Sequence, residues 1–574
     1  MISLARVNAL RLFLLASSIV IGVGGFVLFF RYGVSDGFDA MDVVRAMLIF
    51  VSTFWLAWGA LTALVGLTTQ AGPAPRSEGQ GSSRVAVLVP VYNEDPSVTF
   101  ARVAAMYDSV NALPEGHRFD FAILSDTRDE GYARAEEEWF ARLLDDTGGE
   151  GRLFYRRRIS NKGRKAGNIE DFITRSGAAY EFSVILDADS LMEGETLIEM
   201  MRRMEADERL GLLQTLPVVV NAASRFARIQ QFSAAFYSPV FCRGLAMMQG
   251  ETGPFWGHNA IVRTRAFAES CGLPELQGKP PFGGHILSHD YVEAALLARA
   301  GWKVRVDDDL GGSYEEGPEN MVLHAKRDRR WCQGNLQHSR LILAPGLRLW
   351  SRFVFIQGIL SYLSPVLWLA FLVASILAPL FVPPVNYFPI PGWSFPMVPV
   401  SEASKALALA VAVVSLLFLP KLLILLDAII RGRAKSYGGA WAAIRSVFVE
   451  LVFSSIAAPV FLMFNTRSVL QVTFGVDGGW PAQSRGDGSL SLLESWRAGN
   501  WITMTGLFGL GLSFWLAPAL VLWLLPVALP MIFAPMVLWW SSHAGRLTRF
   551  LTPAQMKKPE ILARHEAWQQ RWQA

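Results

Sequence analysis

Apolar positions along the chain follow two regimes. Uninterrupted runs long enough to cross a bilayer cover residues 12–30, 46–67, 353–381 and 406–430. A further run covers 447–464, and 502–540 has the length of two helices with a proline-rich joint near Pro518. Between residues 84 and 348 no run is that long. There, short apolar stretches alternate with helical patterning, and 85–91, 119–124, 153–155, the stretch ending at Asp187, and 211–216 read as strands. Strands alternating with helices predict a mostly parallel, doubly wound α/β sheet.

The pattern divides the chain into two N-terminal transmembrane helices (1–69), a Gly/Ser/Pro-rich linker (70–83) and a globular domain (84–348). Two more transmembrane helices follow (349–435, with an external loop at 382–404), then a 436–501 segment, a final pair of helices (502–541) and a C-terminal tail (542–574). Basic residues set the orientation. Arg6 and Arg11 precede the first span, Arg431, Arg433 and Lys435 follow the fourth, the tail carries Arg546, Arg549, Lys557 and Lys558, and 382–404 has no Lys or Arg. The globular domain and both termini are therefore expected in the cytoplasm. Parity then requires 447–464 to begin and end on the cytoplasmic side, as an interfacial helix or one that turns back at Pro459. About six to eight spans are expected in all.

Composition supports a membrane protein: 52% of residues are hydrophobic, 18% are charged, and mean hydropathy is +0.30. A net charge of +4 over 574 residues gives no case for nucleic acid. Cys242, Cys271 and Cys332 are too widely separated to form a metal motif and read as reduced cytoplasmic thiols. The turn after the first predicted strand, Val91-Tyr92-Asn93-Glu94-Asp95, lacks the Gly-x-Gly-x-x-Gly of a dinucleotide fold.

Acids and amides recur at predicted strand ends: Asn93 and Glu94, Asp126, then Asp187 and Asp189. In a parallel sheet these ends share one edge, where ligands bind. Two carboxylates spaced i, i+2 suit a small hard cation shared with substrate phosphates. Lys162, Arg164 and Lys165 stand at a predicted helix start, a favourable place for phosphate. Asp290, in Ser288-His289-Asp290, is either a helix cap or a general base. Arg330 and Trp331 close the run 327–331, which is either a basic collar for the next span or a diphosphate clamp beside a sugar-stacking ring.

Taken in order, Tyr92-Asn93-Glu94, Ser125-Asp126, Lys165-Ala166-Gly167-Asn168, Asp187-Ala188-Asp189, Gln214-Thr215, Phe255-Trp256-Gly257-His258-Asn259, His289-Asp290 and Arg330-Trp331 resemble processive family 2 glycosyltransferases, which include cellulose and hyaluronan synthases. Over its whole length the chain most resembles the glucans biosynthesis glucosyltransferase H family. Two boxes depart from the cellulose synthase pattern: Arg327 stands where Gln is usual, and Ser288-His289 precede Asp290 in place of Thr-Glu.

The resemblance implies a Rossmann-like, type A nucleotide-sugar transferase domain inserted in the transmembrane bundle of the bacterial inner membrane. It implies synthesis of the linear β-1,2-glucan backbone of osmoregulated periplasmic glucans from UDP-glucose, with inversion and export. Asp290 would be the catalytic base, and Asp187 and Asp189 would hold Mg2+ or Mn2+. Asn93, Glu94, Asp126, Lys165, Asp187, Gln214, Trp256, His258, Arg330 and Trp331 would bind substrate. The segment 465–500, with Gln471-Val472-Thr473-Phe474, Trp480 and Arg485, corresponds to a gating loop over the donor. Implied partners are UDP-glucose, the growing β-glucan, the lipid bilayer, acyl carrier protein and a periplasmic glucan-modifying protein. A synthase of cellulose, hyaluronan or chitin, a lipid-linked glycosyl transferase, and a transporter or channel with a nucleotide-sensing domain are the alternatives.

Overall fold

The computed structural model describes residues 4–69, 74–77, 81–382, 395, 403–476, 488–545 and 549–573. Among the described residues, ten strands form two sheets: β1 (Val85–Val91), β2 (Phe119–Ser125), β3 (Leu153–Arg157), β4 (Phe182–Ile185), β5 (Leu191–Met192), β6 (Leu210–Gln214), β7 (Val218–Val220), β8 (Ala260–Arg263), β9 (Lys303–Val306) and β10 (Ser313–Glu316). The larger sheet has the order β3-β2-β1-β4-β8-β6-β9. The expected parallel pairing holds for β3-β2-β1-β4 and for β6-β9. It is broken by β8, which runs antiparallel to both β4 and β6 and makes the sheet mixed. All five strands expected from the sequence are present. The near-continuous apolar content of β1, β2 and β4 goes with burial on both faces, whereas the edge strand β3 is only partly buried and ends in Arg156 and Arg157.

Each face of the sheet packs an apolar layer. Phe100, Met106 and Tyr107 of helix Pro96–Asn111 cover one side. Ile169 and Phe172 of Arg164–Ser176 and Leu297 of His289–Arg299 cover the other. The small sheet, β5-β10-β7, sets Glu315 and Glu316 beside the carboxyl ends of the large one.

Among the described residues, five helices are long and apolar enough to cross a membrane: Leu4–Gly33, Ala40–Thr68, Leu349–Leu380, Ser404–Ile430 and Ala440–Thr473. A sixth span results if Pro518–Ile532 and Ala534–Ser542, bent by 54°, count as one. Helix Leu492–Leu516 is not in this set.

The turn back expected at Pro459 is not found, because Ala440–Thr473 runs unbroken through that residue. A proline inside a helix forfeits one backbone hydrogen bond, and tight packing compensates: Pro459, Val460 and Ala457 are all buried. Both ends of this helix meet the globular domain or the helices next to it. Just before it, Tyr437 donates from its hydroxyl to the Ala235 carbonyl, and near its C-terminus Gln471 Oε1 accepts from Arg329 Nε at 2.9 Å. Most of the expected external loop, half of the linker, and residues 477–487 of the expected gating loop, including Trp480 and Arg485, lie outside the described residues. The flanks of the expected gating loop are helix instead, 465–473 ending Ala440–Thr473 and 492–500 opening Leu492–Leu516.

The tail ends in helix Glu560–Gln573, which docks on the globular domain. Trp568 Nε1 donates to Asp108 at 2.8 Å, Trp572 Nε1 donates to Asp146 at 2.7 Å, and Ile561 and Leu562 join the sheet's apolar layer.

Candidate active site

The carboxyl ends of β2, β1 and β4, adjacent in the sheet, open into a cleft of about 840 Å³. Glu94, Asp126, Lys165, Asp187, Asp189, Trp256, His258, Asp290, Arg330 and Trp331 all line it. Residues separated by more than 230 positions in the chain thus converge as expected.

Asn93 and Gln214 do not line this cleft; they shape it from behind. Asn93, at φ +51, accepts the Arg128 and Asp129 backbone N–H groups on its Oδ1, tying the turn after β1 to the loop after β2. Gln214 is fully buried. Its Oε1 accepts from Trp256 N at 3.0 Å and its Nε2 donates to the His258 carbonyl at 2.9 Å, which fixes the segment 256–259.

Asp126 receives both arms of Arg158, Nε and Nη2 each at 2.7 Å, and its carbonyl accepts from the Asn161 amide. Glu136, buried beneath the loop, accepts from Ser125 Oγ at 2.6 Å and from Tyr155 at 2.9 Å. Burial beside this carboxylate pushes the Tyr155 phenol well above its ordinary range.

Lys165 forms an ion pair with Asp187 and donates to the Gly257 carbonyl at 2.7 Å. Burial pushes the Asp187 carboxyl up, but Lys165, helped by His258 and His289, outweighs it and holds the group at about 2. Asp187 is therefore ionised throughout the physiological range. Gly257 adopts φ +86, open to glycine at little cost, and passes directly over Asp290.

Two cleft-lining carboxylates one residue apart, Asp187 and Asp189, give hard oxygen donors for Mg2+ or Mn2+. Among the described residues no group of three or more His, Cys, Asp or Glu could hold a metal alone. The donor set therefore fits an ion completed by ligand phosphates, not a closed structural site.

Asp290 lies in the first turn of His289–Arg299 and is not its cap, which is Ser288. Burial raises its carboxyl from 3.8 to about 6, with buried Glu293 adding to the rise and His289 opposing it. His289 Nδ1 stands 3.0 Å from Glu293 Oε2. Burial alone would lower the imidazole's pKa, but the carboxylate raises it. Arg330 and Trp331 come from helix Met321–Gln337. Trp331 is 44% exposed at the cleft wall, with the Arg327 guanidinium 4.8 Å from its ring centre.

Sequence reasoning missed Arg158, Glu136, Glu315 and the His289–Glu293 pair. The run Arg156-Arg157-Arg158 at the end of β3 could have revealed Arg158, since β3 pairs with β2 up to Ser125. Glu315 faces His258 at 3.4 Å, and burial raises its carboxyl. No local pattern announces it.

The mixed sheet and the acid-lined cleft at the end of β4 lie within a glycosyl transferase domain of family 2. The family 2 model matches residues 86–270, and the glycosyl transferase family group 2 model matches 183–422. The chain belongs to the glucans biosynthesis glucosyltransferase H family. It is 60% identical to the Cereibacter sphaeroides member over 98% of this chain and 95% of that one. It is 40% identical to a Rhodopseudomonas palustris member (97% and 79% covered) and 39% to a Vibrio cholerae member (95% and 76%). Among solved structures, a mannosyltransferase from Pyrobaculum calidifontis in complex with GDP-Man and Mn2+ aligns at 15% identity. That match covers 71% of this chain and 98% of that one, with a TM-score of 0.45. The protein is a family 2 glucosyltransferase of glucan biosynthesis.

Proposed function

We propose that the protein polymerises glucose from UDP-glucose into the linear β-1,2-glucan backbone of osmoregulated periplasmic glucans, with inversion, on the cytoplasmic side of the bacterial inner membrane. The observation that carries this reading is the convergence, in one cleft, of a carboxyl raised to about 6 with two acids, a lysine and an arginine suited to a diphosphate.

Asp126, held by Arg158, offers acceptor oxygens to the uracil edge, and Glu94 shapes the same pocket. Asp187 and Asp189 would hold Mg2+ or Mn2+, which when bound would neutralise charge on the departing UDP. Arg330 adds a fixed cation on the same side. Asp290 takes the proton from the acceptor 2-hydroxyl as that oxygen attacks the anomeric carbon. A carboxyl poised near neutrality balances ionisation against basicity. A single displacement on an α-linked donor gives a β-linkage. Trp331 stacks on the acceptor sugar, and Trp256 and His258 line its approach.

In this reading helix Ala440–Thr473 lies along the membrane interface, because both ends return to the globular domain or the helices next to it. The true spans form the outward path for a polar glucan that lipid alone does not pass. Acyl carrier protein and a periplasmic glucan-modifying protein are the partners proposed for the pathway. Incubation of the purified chain with UDP-glucose and Mg2+, followed by UDP release and linkage-specific digestion, tests the reading. A β-1,4 product would overturn the assignment of linkage, and turnover by Asp290→Asn would overturn the assigned base.

A further inference from the structure

Asp290 stands in the first turn of His289–Arg299, and residues 283–288, which lead into that turn, have no regular secondary structure apart from the single bridge of Gly284 to Leu276. Such a stretch does not by itself fix the start of the helix to the tolerance that proton transfer needs. What holds it is the far end of Met321–Gln337, the same helix that carries Arg330 and Trp331.

Gln337 is 1% exposed and uses both halves of its amide. Its Oε1 accepts from Leu287 N at 3.0 Å, and its Nε2 donates to the Gly283 and His285 carbonyls at 3.4 and 3.3 Å. His338, fully buried, donates from Nε2 to the Ser288 carbonyl at 3.0 Å. Burial pushes its imidazole down to about 4, so it stays neutral, and the Ser288 carbonyl selects the Nε2–H tautomer. One turn earlier, Gly334 leaves no room for a Cβ, which would run into Ser288. The Phe355 ring of membrane helix Leu349–Leu377 lies 4.8 Å from the His338 ring and closes the outer side.

We propose that Gln337 and His338 are positioning residues for the catalytic base, clamping residues 283–288 so that one helix sets the separation between Asp290 and the leaving-group arginine, Arg330. The inference rests on Asp290 being the base, as proposed above. Neither residue lines the cleft. Their loss therefore acts on the chemical step and leaves donor binding alone.

The test uses the full-length enzyme in detergent, with kcat and KM for UDP-glucose and the Kd of UDP with Mg2+ measured for Gln337→Ala, His338→Ala and His338→Gln. Displacement of a catalytic group by about 1 Å costs on the order of 100-fold. The expected result is a kcat lowered about 10- to 100-fold in both alanine variants, with the Kd for UDP within about twofold of wild type. His338→Gln, which keeps a donor near the Ser288 carbonyl, should recover part of the loss. Wild-type kcat in both alanine variants overturns the clamp. Joint loss of UDP binding and turnover in all three assigns the residues to folding alone and overturns it as well. Asp290→Asn, run alongside, separates the two ideas. An active Asp290→Asn sinks the base itself, whereas an inactive one beside fully active clamp variants sinks only the clamp.

Discussion

The raised carboxyl of Asp290 makes a quantitative prediction for both rate and stability. The base must be ionised to act, and its pKa lies at about 6 instead of 3.8 because the ionised form is buried. Ionisation is then about 90% at pH 7 and about 10% at pH 5, so kcat/KM should fall about tenfold between them. A carboxyl at its ordinary value would leave the rate almost flat over that interval. The same burial costs the folded state free energy. A folded pKa above the unfolded value means that the group destabilises the protein once pH rises past 3.8, and fully above 6. By linkage the cost is about 3 kcal/mol at pH 7.5 and about 1 kcal/mol at pH 4.5, as an upper estimate. Asp290→Asn should therefore be inactive and yet melt at a higher temperature than wild type at pH 7.5, with the gap narrowing toward pH 4.5. Thermal melts of metal-free enzyme in detergent, paired with UDP-release rates, measure both. A flat rate from pH 7 to 5, or a variant no more stable than wild type at pH 7.5, would refute the reasoning.

Further outcomes follow from other contacts. Arg158→Met leaves Asp126 buried without its ion pair, a loss of about 3–5 kcal/mol, and should raise KM for UDP-glucose well before it changes the product; isothermal titration with UDP checks it. Trp568→Ala removes a buried indole and its hydrogen bond to Asp108, so the melting midpoint should drop by the equivalent of about 3–5 kcal/mol; an unchanged midpoint would mean that the tail helix does not dock. Glu450→Ala strands Lys421, whose Nζ lies 2.6 Å from Glu450 Oε1, and should destabilise strongly, while the double change with Lys421→Met recovers most of the loss; thermal melts of the single and double variants check it. Chelation by EDTA should stop UDP release, and Mg2+ or Mn2+ should restore it; turnover surviving EDTA would contradict the role given to Asp187 and Asp189.

The site was more legible in sequence than its surroundings. Strands β1, β2 and β4 are apolar runs that stop abruptly at acids, so both the sheet and its functional edge could be read from periodicity and termination. Strand β8 could not. Ala260-Ile261-Val262-Arg263 is four residues long, and nothing local says that it runs antiparallel. Strand β10, Ser313-Tyr314-Glu315-Glu316, is mostly polar and reads as a loop until its neighbours β5 and β7 are known. Asn93 and Gln214 stand in the expected motifs, but whether an amide faces a ligand or braces a loop depends on distant backbone groups that the sequence does not bring together. Pro459 misled for a similar reason. A proline breaks an isolated helix, and only the surrounding packing lets Ala440–Thr473 pass through it.

The most direct test of the central claim is the product formed by the purified full-length chain from UDP-glucose and Mg2+, analysed by linkage-specific glucanases with Asp290→Asn as control. The account predicts a β-1,2-glucan that is absent in the variant. A product of another linkage, or the same glucan made by Asp290→Asn, would contradict it.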